Sequence, residues 1–270
     1  MCAAVPVIRK IFTRYRVAGI TSVDDELFVL LRRDRNQVAI YSINDYQLLR
    51  NLNVPRNQPG YYRPRNCCDM TSCKQRKCLY MSDWDNSCIH RCELVSSATR
   101  KWPVNGKPLG LAITPSGNLL VTCQKPNKLV ELSVDSGESV REIALQSDIE
   151  YPHDSMQLSP GQLLVCHGYL SDTLHRLCIV GDDGKVTRSY SGEGEQLQWP
   201  RHFAVDKDSQ LMFVADEIRD SVALVRPSKL ELVRYVIEKL QLPHRIYFHQ
   251  ATRRLFVGQL HKPDLTIVQL

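Results

Sequence analysis

The chain has 270 residues, 43% of them hydrophobic, and its 35 Lys and Arg outnumber 29 Asp and Glu to give a formal charge of +6. That length and apolar content suffice for one large globular domain, and the lack of a Pro/Ser-rich linker or low-complexity run argues against a second. No apolar stretch reaches the roughly 18 residues of a membrane helix, so no membrane partner is expected.

The amino-terminal segment MCAAVPVIRK places its apolar run before its basic residues, the reverse of a secretory signal, and a cytoplasmic protein is expected. The first segment with strand character follows at once, Val7 to Tyr15, reading VIRKIFTRY. From there to the carboxyl end the chain is a series of short apolar runs cut by turn residues, each too short for a helix that buries a stripe. Val17-Ala18-Gly19-Ile20 opens a first unit. PRNCCDM at Pro64, PLGLAIT at Pro108, PHDSMQL at Pro152, PRHFAVD at Pro200 and PHRIYFH at Pro243 open five more, at intervals of 44, 44, 48 and 43 residues. A second run repeats in step, anchored at Val29, Met81, Val121, Val165, Val214 and Val257. In the clearest unit, Pro200 to Val225, an acidic loop (Asp216 to Ser221) leads to a third run, and LELVRYVI supplies a fourth. Each unit therefore reads as a four-stranded antiparallel meander.

Four strands in about 40 residues is the length of one β-propeller blade. A single blade has two apolar faces and cannot bury both, whereas stacking blades around an axis buries them all. The expected fold is all-β, a six-bladed β-propeller of four-stranded antiparallel blades within a single domain spanning 1–270. The blades fall at about 17–55, 64–104, 108–147, 152–192, 200–238 and 243–270. The last unit ends after its third run, LTIVQ, so residues 7–15 are expected to supply its outer strand and latch the ring, removing two exposed edges.

Three features together, the Pro-x-x-apolar lead-in, the second strand ending in Val-x-Asp and the polar loop after it (Asp83-Trp84-Asp85-Asn86; Asp216 to Asp220), resemble NHL repeats. Cys123, His167 and Gln259 stand where three blades would have the loop aspartate. The resemblance covers roughly Val5 to Leu270 and implies a six-bladed propeller like the carboxyl-terminal propellers of tripartite-motif proteins. Members of that group include RNA binders and adaptors that recruit substrates to ubiquitin ligases. The RING and B-box modules of those proteins are not in this chain.

Six of the ten cysteines, Cys67, Cys68, Cys73, Cys78, Cys88 and Cys92, cluster in the second unit. Cys67 and Cys68 are adjacent and point to opposite faces of a strand. Cys78 and Cys88 fall in predicted strands and not in convergent loops. Buried free thiols acting as small hydrophobes are expected, with no metal and no small-molecule cofactor.

In a propeller the loops leading into the inner strands share one face with the loops joining second to third strands. Two residues after each lead-in proline stand Asn66, Gly110, Asp154, His202 and Arg245, with Gly19 in the first unit, and these are expected to ring the channel mouth. The same face should carry Arg32, Arg33, Arg35, Arg65, Trp84, Lys125, Tyr169, Arg201, His202, Arg219, His244 and Arg245. Cations interleaved with aromatics suit an acidic peptide or folded protein, which is the expected partner. They also suit single-stranded RNA, the alternative. Trp84 is equally compatible with packing on a neighbouring blade. A third reading is a metal-dependent lactonase- or lyase-like enzyme at the channel, but Asp154 and His202, with Asn66, fall short of three ligands. Motifs of nucleophilic, zinc-protease or phosphate chemistry do not occur in a supporting context, so no catalytic residue is assigned.

Overall fold

A computed structural model describes residues 7–32, 37–54, 67–168, 176–190 and 197–270. Among them are 24 strands in six four-stranded antiparallel sheets and no helix. Five sheets are meanders of consecutive strands. The sixth takes its outer strand from the other end of the chain. Val7–Phe12 pairs antiparallel with Asp264–Gln269, in a register that sets Ile11 opposite Leu265 and Phe12 opposite Asp264. The latch is thus present, but it stops at Phe12 and not at Tyr15. Arg14 turns the chain with φ 64°, and Thr13 Oγ1 donates to Tyr15 O at 2.7 Å within that turn.

The apolar runs pack between blades. Six hydrophobic clusters fill the six interfaces, and their members alternate along each strand as the period of two requires. The seam between the last blade and the first holds Ile11, Leu27, Val29, Phe256, Leu265 and Ile267. Eight described cysteines are free and buried, and six of them serve in the same way, among them Cys78 and Cys123 between blades two and three and Cys166 between blades four and five.

Each inner strand slips its register near its start, at Val17/Gly19, Cys67/Asp69, Pro108/Leu111, Pro152/Asp154, Pro200/His202 and Pro243/Arg245. A bulge bends the strand and re-aims one side chain, here at the axis. Blade two departs from the expected frame. Its inner strand is Cys67–Cys73, so Cys67 occupies the place of the lead-in proline and Asp69 the ring position. Pro64 and Asn66 lie outside the described residues.

Two ring positions are glycine because the next inner strand passes against them. A Cβ on Gly19 would lie 2.6 Å from Met70 N, and one on Gly110 would lie 2.7 Å from both Asp154 Cα and His153 O. Backbone cannot move aside as a side-chain tip can. Gly110→Ala is therefore expected to destabilise the fold by about 1–3 kcal/mol, as overpacking does, read as a lowered denaturant midpoint. Deleting residues 1–13 should lower the melting temperature and cause aggregation through the freed edge of Asp264–Gln269. An unchanged melting curve would show that the latch carries no stability.

Candidate functional site at the channel

The bulge residues form a waist around the axis: Gly19, Asp69, Gly110, Asp154, His202 and Arg245, one from each blade. Asp69 accepts Leu111 N at 2.8 Å, and Asp154 accepts Phe203 N at 3.2 Å, each bond reaching into the next blade. Arg245 closes the ring with its guanidinium on Ala18 O (3.0 Å) and Cys68 O (2.6 Å) of blades one and two. It also stands 3.5 Å from Asp69 Oδ1. His202 Nε2 lies 3.4 Å from Asp69 Oδ1 and 3.7 Å from Asp154 Oδ2. Burial pushes the Asp154 carboxyl up to about 6, against the pull of His202, and the Asp69 charge pushes it the same way.

The waist separates two openings. Above it is a cavity of about 670 Å³ whose lining includes Trp84, Leu109, Lys125, Tyr151, Trp199, Arg201, Leu242, His244, Arg245 and His261. Below it a second cavity, about 580 Å³, is lined by Asp154 and His202 among threonines, serines and apolar residues of the inner strands. His202 and Asp154 therefore face the opening opposite to the one expected, because the bulge turns them past the waist. Gly110 and Gly19 sit at the waist itself.

The upper cavity is not the open basic arc that the sequence suggests. Arg201 is partly buried, with Nε 2.8 Å from the buried Glu217 Oε2, and His244 Nδ1 lies 2.9 Å from the same oxygen. Burial lowers the Arg201 guanidinium below its ordinary value and raises the Glu217 carboxyl, although their attraction opposes both shifts. Beside them His153 donates from Nε2 to Gly168 O at 2.7 Å, and its Nδ1 accepts from Arg201 at 3.0 Å. Burial first, then Arg201, holds His153 well below 6.5, so it is neutral. Trp199 Nε1 donates to the same Gly168 carbonyl at 3.2 Å, and the Arg201 guanidinium lies 4.7 Å from the Trp199 ring. Trp84 is buried in the wall and not splayed into solvent. Arg219 packs on Tyr235 at 4.2 Å. Arg33, Arg35, Arg65 and Tyr169 lie outside the described residues, and Arg32 ends the strand Glu26–Arg32.

The polar residue ending the second strand has a definite task in blades five and six. Asp216 accepts Gln198 N (2.9 Å) and Trp199 N (2.7 Å), fixing the segment just before Pro200. Gln259 takes its place in blade six, accepting Gln241 N at 2.6 Å just before Pro243. An aspartate is therefore not obligatory there; an oxygen at the right reach suffices.

Asp69, Glu217 and His153 escaped the sequence reading. Asp69 was three residues out of the expected frame. Glu217 sits in a loop, and nothing local shows that its charge meets Arg201 of the same blade and His244 of the next. With Asp69 in place of Asn66, the waist does hold three donors, Asp69, Asp154 and His202, within 4.8 Å of one another. Arg245 already stands against one of them.

No protein-family model matches the chain, and no curated protein matches it in sequence. Solved structures share its architecture. Hydrazine synthase of Kuenenia stuttgartiensis is similar with a TM-score of 0.68 at 12% identity, over 100% of this chain and 98% of that one. Virginiamycin B lyase from Staphylococcus aureus gives 0.68 at 12%, over 97% and 99%. The propeller domain of Cps50 (Swd1) from Myceliophteria thermophila gives 0.64 at 11%, over 94% and 83%. At such identities the likeness shows the fold. The chain is a six-bladed β-propeller, and the solved structures similar to it include those of enzymes and of the Swd1 propeller domain.

The Asp154 value sets a pH dependence. It lies above the 3.8 of an unfolded aspartate. The stabilisation from holding that proton is therefore full below about pH 4 and lost as pH rises through about 6. Asp154→Asn removes this slope. The melting temperature of the variant relative to the native chain should rise between about pH 4 and about pH 6, and a pH-independent difference would contradict the assignment.

Proposed function

We propose that the chain is a non-enzymatic protein-binding module that takes a segment of its partner into the upper channel cavity. The observation carrying this reading is the lining of that cavity. Trp84, Trp199, Tyr151, Leu109, Leu242 and Leu260 make a concave, largely aromatic and aliphatic wall, and Arg201 and Arg245 beneath are paired with Glu217 and Asp69. Mixed apolar walls with a few fixed polar groups suit an inserted side chain of a peptide or protein loop. Lys125 and His261 on the same lining favour an acidic flank on that segment. The NHL-like lead-ins support placing the module beside the propellers of tripartite-motif proteins, with recruitment of substrates to a ubiquitin ligase as its cellular role.

Single-stranded RNA loses support by the same observation. Phosphates need uncompensated cations along a track, and Arg201 and Arg245 are already engaged within the fold. Catalysis at the waist has the three donors but also the Arg245 guanidinium beside them, which counts against a metal-dependent reaction there.

Tyr151 and Ile218 are 39% and 44% exposed at this opening, so changing them should spare the fold. Tyr151→Ala and Ile218→Asp are each expected to weaken partner capture from nuclease-treated lysate by about 10-fold or more, the scale of an interface hot spot. Melting temperatures should stay at the native value. Binding of the native chain to single-stranded RNA at physiological salt, lost in Lys125→Ala while protein capture persists in Tyr151→Ala, would reverse the assignment.

A further inference from the structure

The turn between the second and third strands of blade two gathers donors that the channel does not use. Asp83 ends the strand Cys78–Asp83 and is paired directly with Cys88, the first residue of the strand Cys88–Glu93. His90 is two residues further on, so its side chain leaves the same face as Cys88. All three are buried, with 5%, 0% and 3% exposure. Asp83 Oδ2 lies 2.9 Å from His90 Nε2, and Cys88 Sγ lies 3.8 Å from that same nitrogen. The three donor atoms fall within 4.8 Å of one another.

One ring nitrogen thus faces both a carboxylate oxygen and a sulfur. A proton on Nε2 serves Asp83 and leaves Cys88 at the margin of a contact. A cation in the place of that proton is shared by all three donors. Bond lengths of about 2.0–2.3 Å in a tetrahedral site put its donors about 3.3–3.7 Å apart. The separations of 2.9 and 3.8 Å bracket that spacing, so only small side-chain shifts are needed. Asn86 supports the carboxylate from outside, its backbone N on Oδ1 at 3.0 Å and its Nδ2 on Oδ2 at 2.8 Å, as outer partners of metal ligands do. Carboxylate, imidazole and thiolate together fit a borderline cation such as zinc, whereas calcium and magnesium take oxygen.

We propose that Asp83, Cys88 and His90 form a zinc-class cation site at the turn of blade two. On binding, the Cys88 thiol releases its proton to solvent, and His90 coordinates through Nε2 with its remaining proton on Nδ1. No bond of the chain is broken. Three protein donors leave the fourth tetrahedral position to water. The ion would tie this turn to the face on which Leu79, Met81 and Cys92 pack against Leu30 and Val38 of blade one.

The full chain, treated with chelator and titrated with cobalt(II), should bind one ion and develop the near-ultraviolet band of a cobalt–thiolate bond. Cys88→Ser should abolish the band, and Asp83→Asn should weaken binding by at least about 10–100-fold, the loss seen even for an outer partner. Asp154→Asn and Cys178→Ser should leave both band and affinity unchanged. A missing band, a band that survives Cys88→Ser, or one lost in Asp154→Asn would overturn the proposal. X-ray absorption on the native cobalt complex needs no variant: a single sulfur in the coordination shell supports the site, and a shell with none or several removes it.

Discussion

Within a blade the backbone ladder joins strand to strand, but among the described residues no ladder at the axis joins one blade to the next. The inner edges of six sheets converge there with N–H and C=O groups that need partners away from water. Side chains meet that need. Asp69 caps an N–H of blade three, Asp154 one of blade five, and Arg245 collects carbonyls of blades one and two. Ser82 donates to Leu109 O at 2.6 Å, and Thr122 meets Ser155 at 2.7 Å, adding two more stitches between neighbours. Where no side chain fits, Gly19 and Gly110 let the strands touch directly.

This demand decides what remains for a ligand. Arg201, His244 and Arg245, at the waist and in the upper wall, are held by partners inside the fold, so they position backbone and aromatic walls. Arg201 shows the pattern: ion-paired with Glu217, bonded to neutral His153, and lying on Trp199. A buried pair of this kind contributes little net stability and much geometric definition. The upper opening therefore combines a concave apolar wall with the side chains of Lys125 and His261.

The strands, their number and the closing latch were legible because they follow from short apolar runs, turn residues and an unfinished last unit. Position at the axis was legible wherever the lead-in proline sits at the strand, as at Asp154, His202 and Arg245. It failed in blade two, where Pro64 precedes the strand and Cys67 takes the corresponding place. Compensation was not legible at all. Glu217 and Arg201 are close in sequence, yet nothing local says that they meet, and Asp69 and Arg245 are far apart along the chain. Cys88 and Asp83 were legible separately, but nothing local shows that the cross-strand pairing brings Asp83 beside Cys88 and His90.

The latch also bears on the order in which the ring is built. Val7 pairs with Val268, so the contact that completes the last sheet joins residues from nearly opposite ends of the chain. Loop-closure entropy grows only with the logarithm of length, so this contact is affordable at equilibrium. Kinetically it is late, because non-local pairings wait for the intervening chain to become ordered. During synthesis the segment Val7–Phe12 emerges before every other strand of the ring and has no strand to join until Asp264–Gln269 exists. Val7, Ile8 and Phe12 stay solvent-exposed even in the finished ring. For most of its assembly the protein therefore carries an unpaired, partly apolar strand, and that interval is when it is most exposed to pairing with another chain.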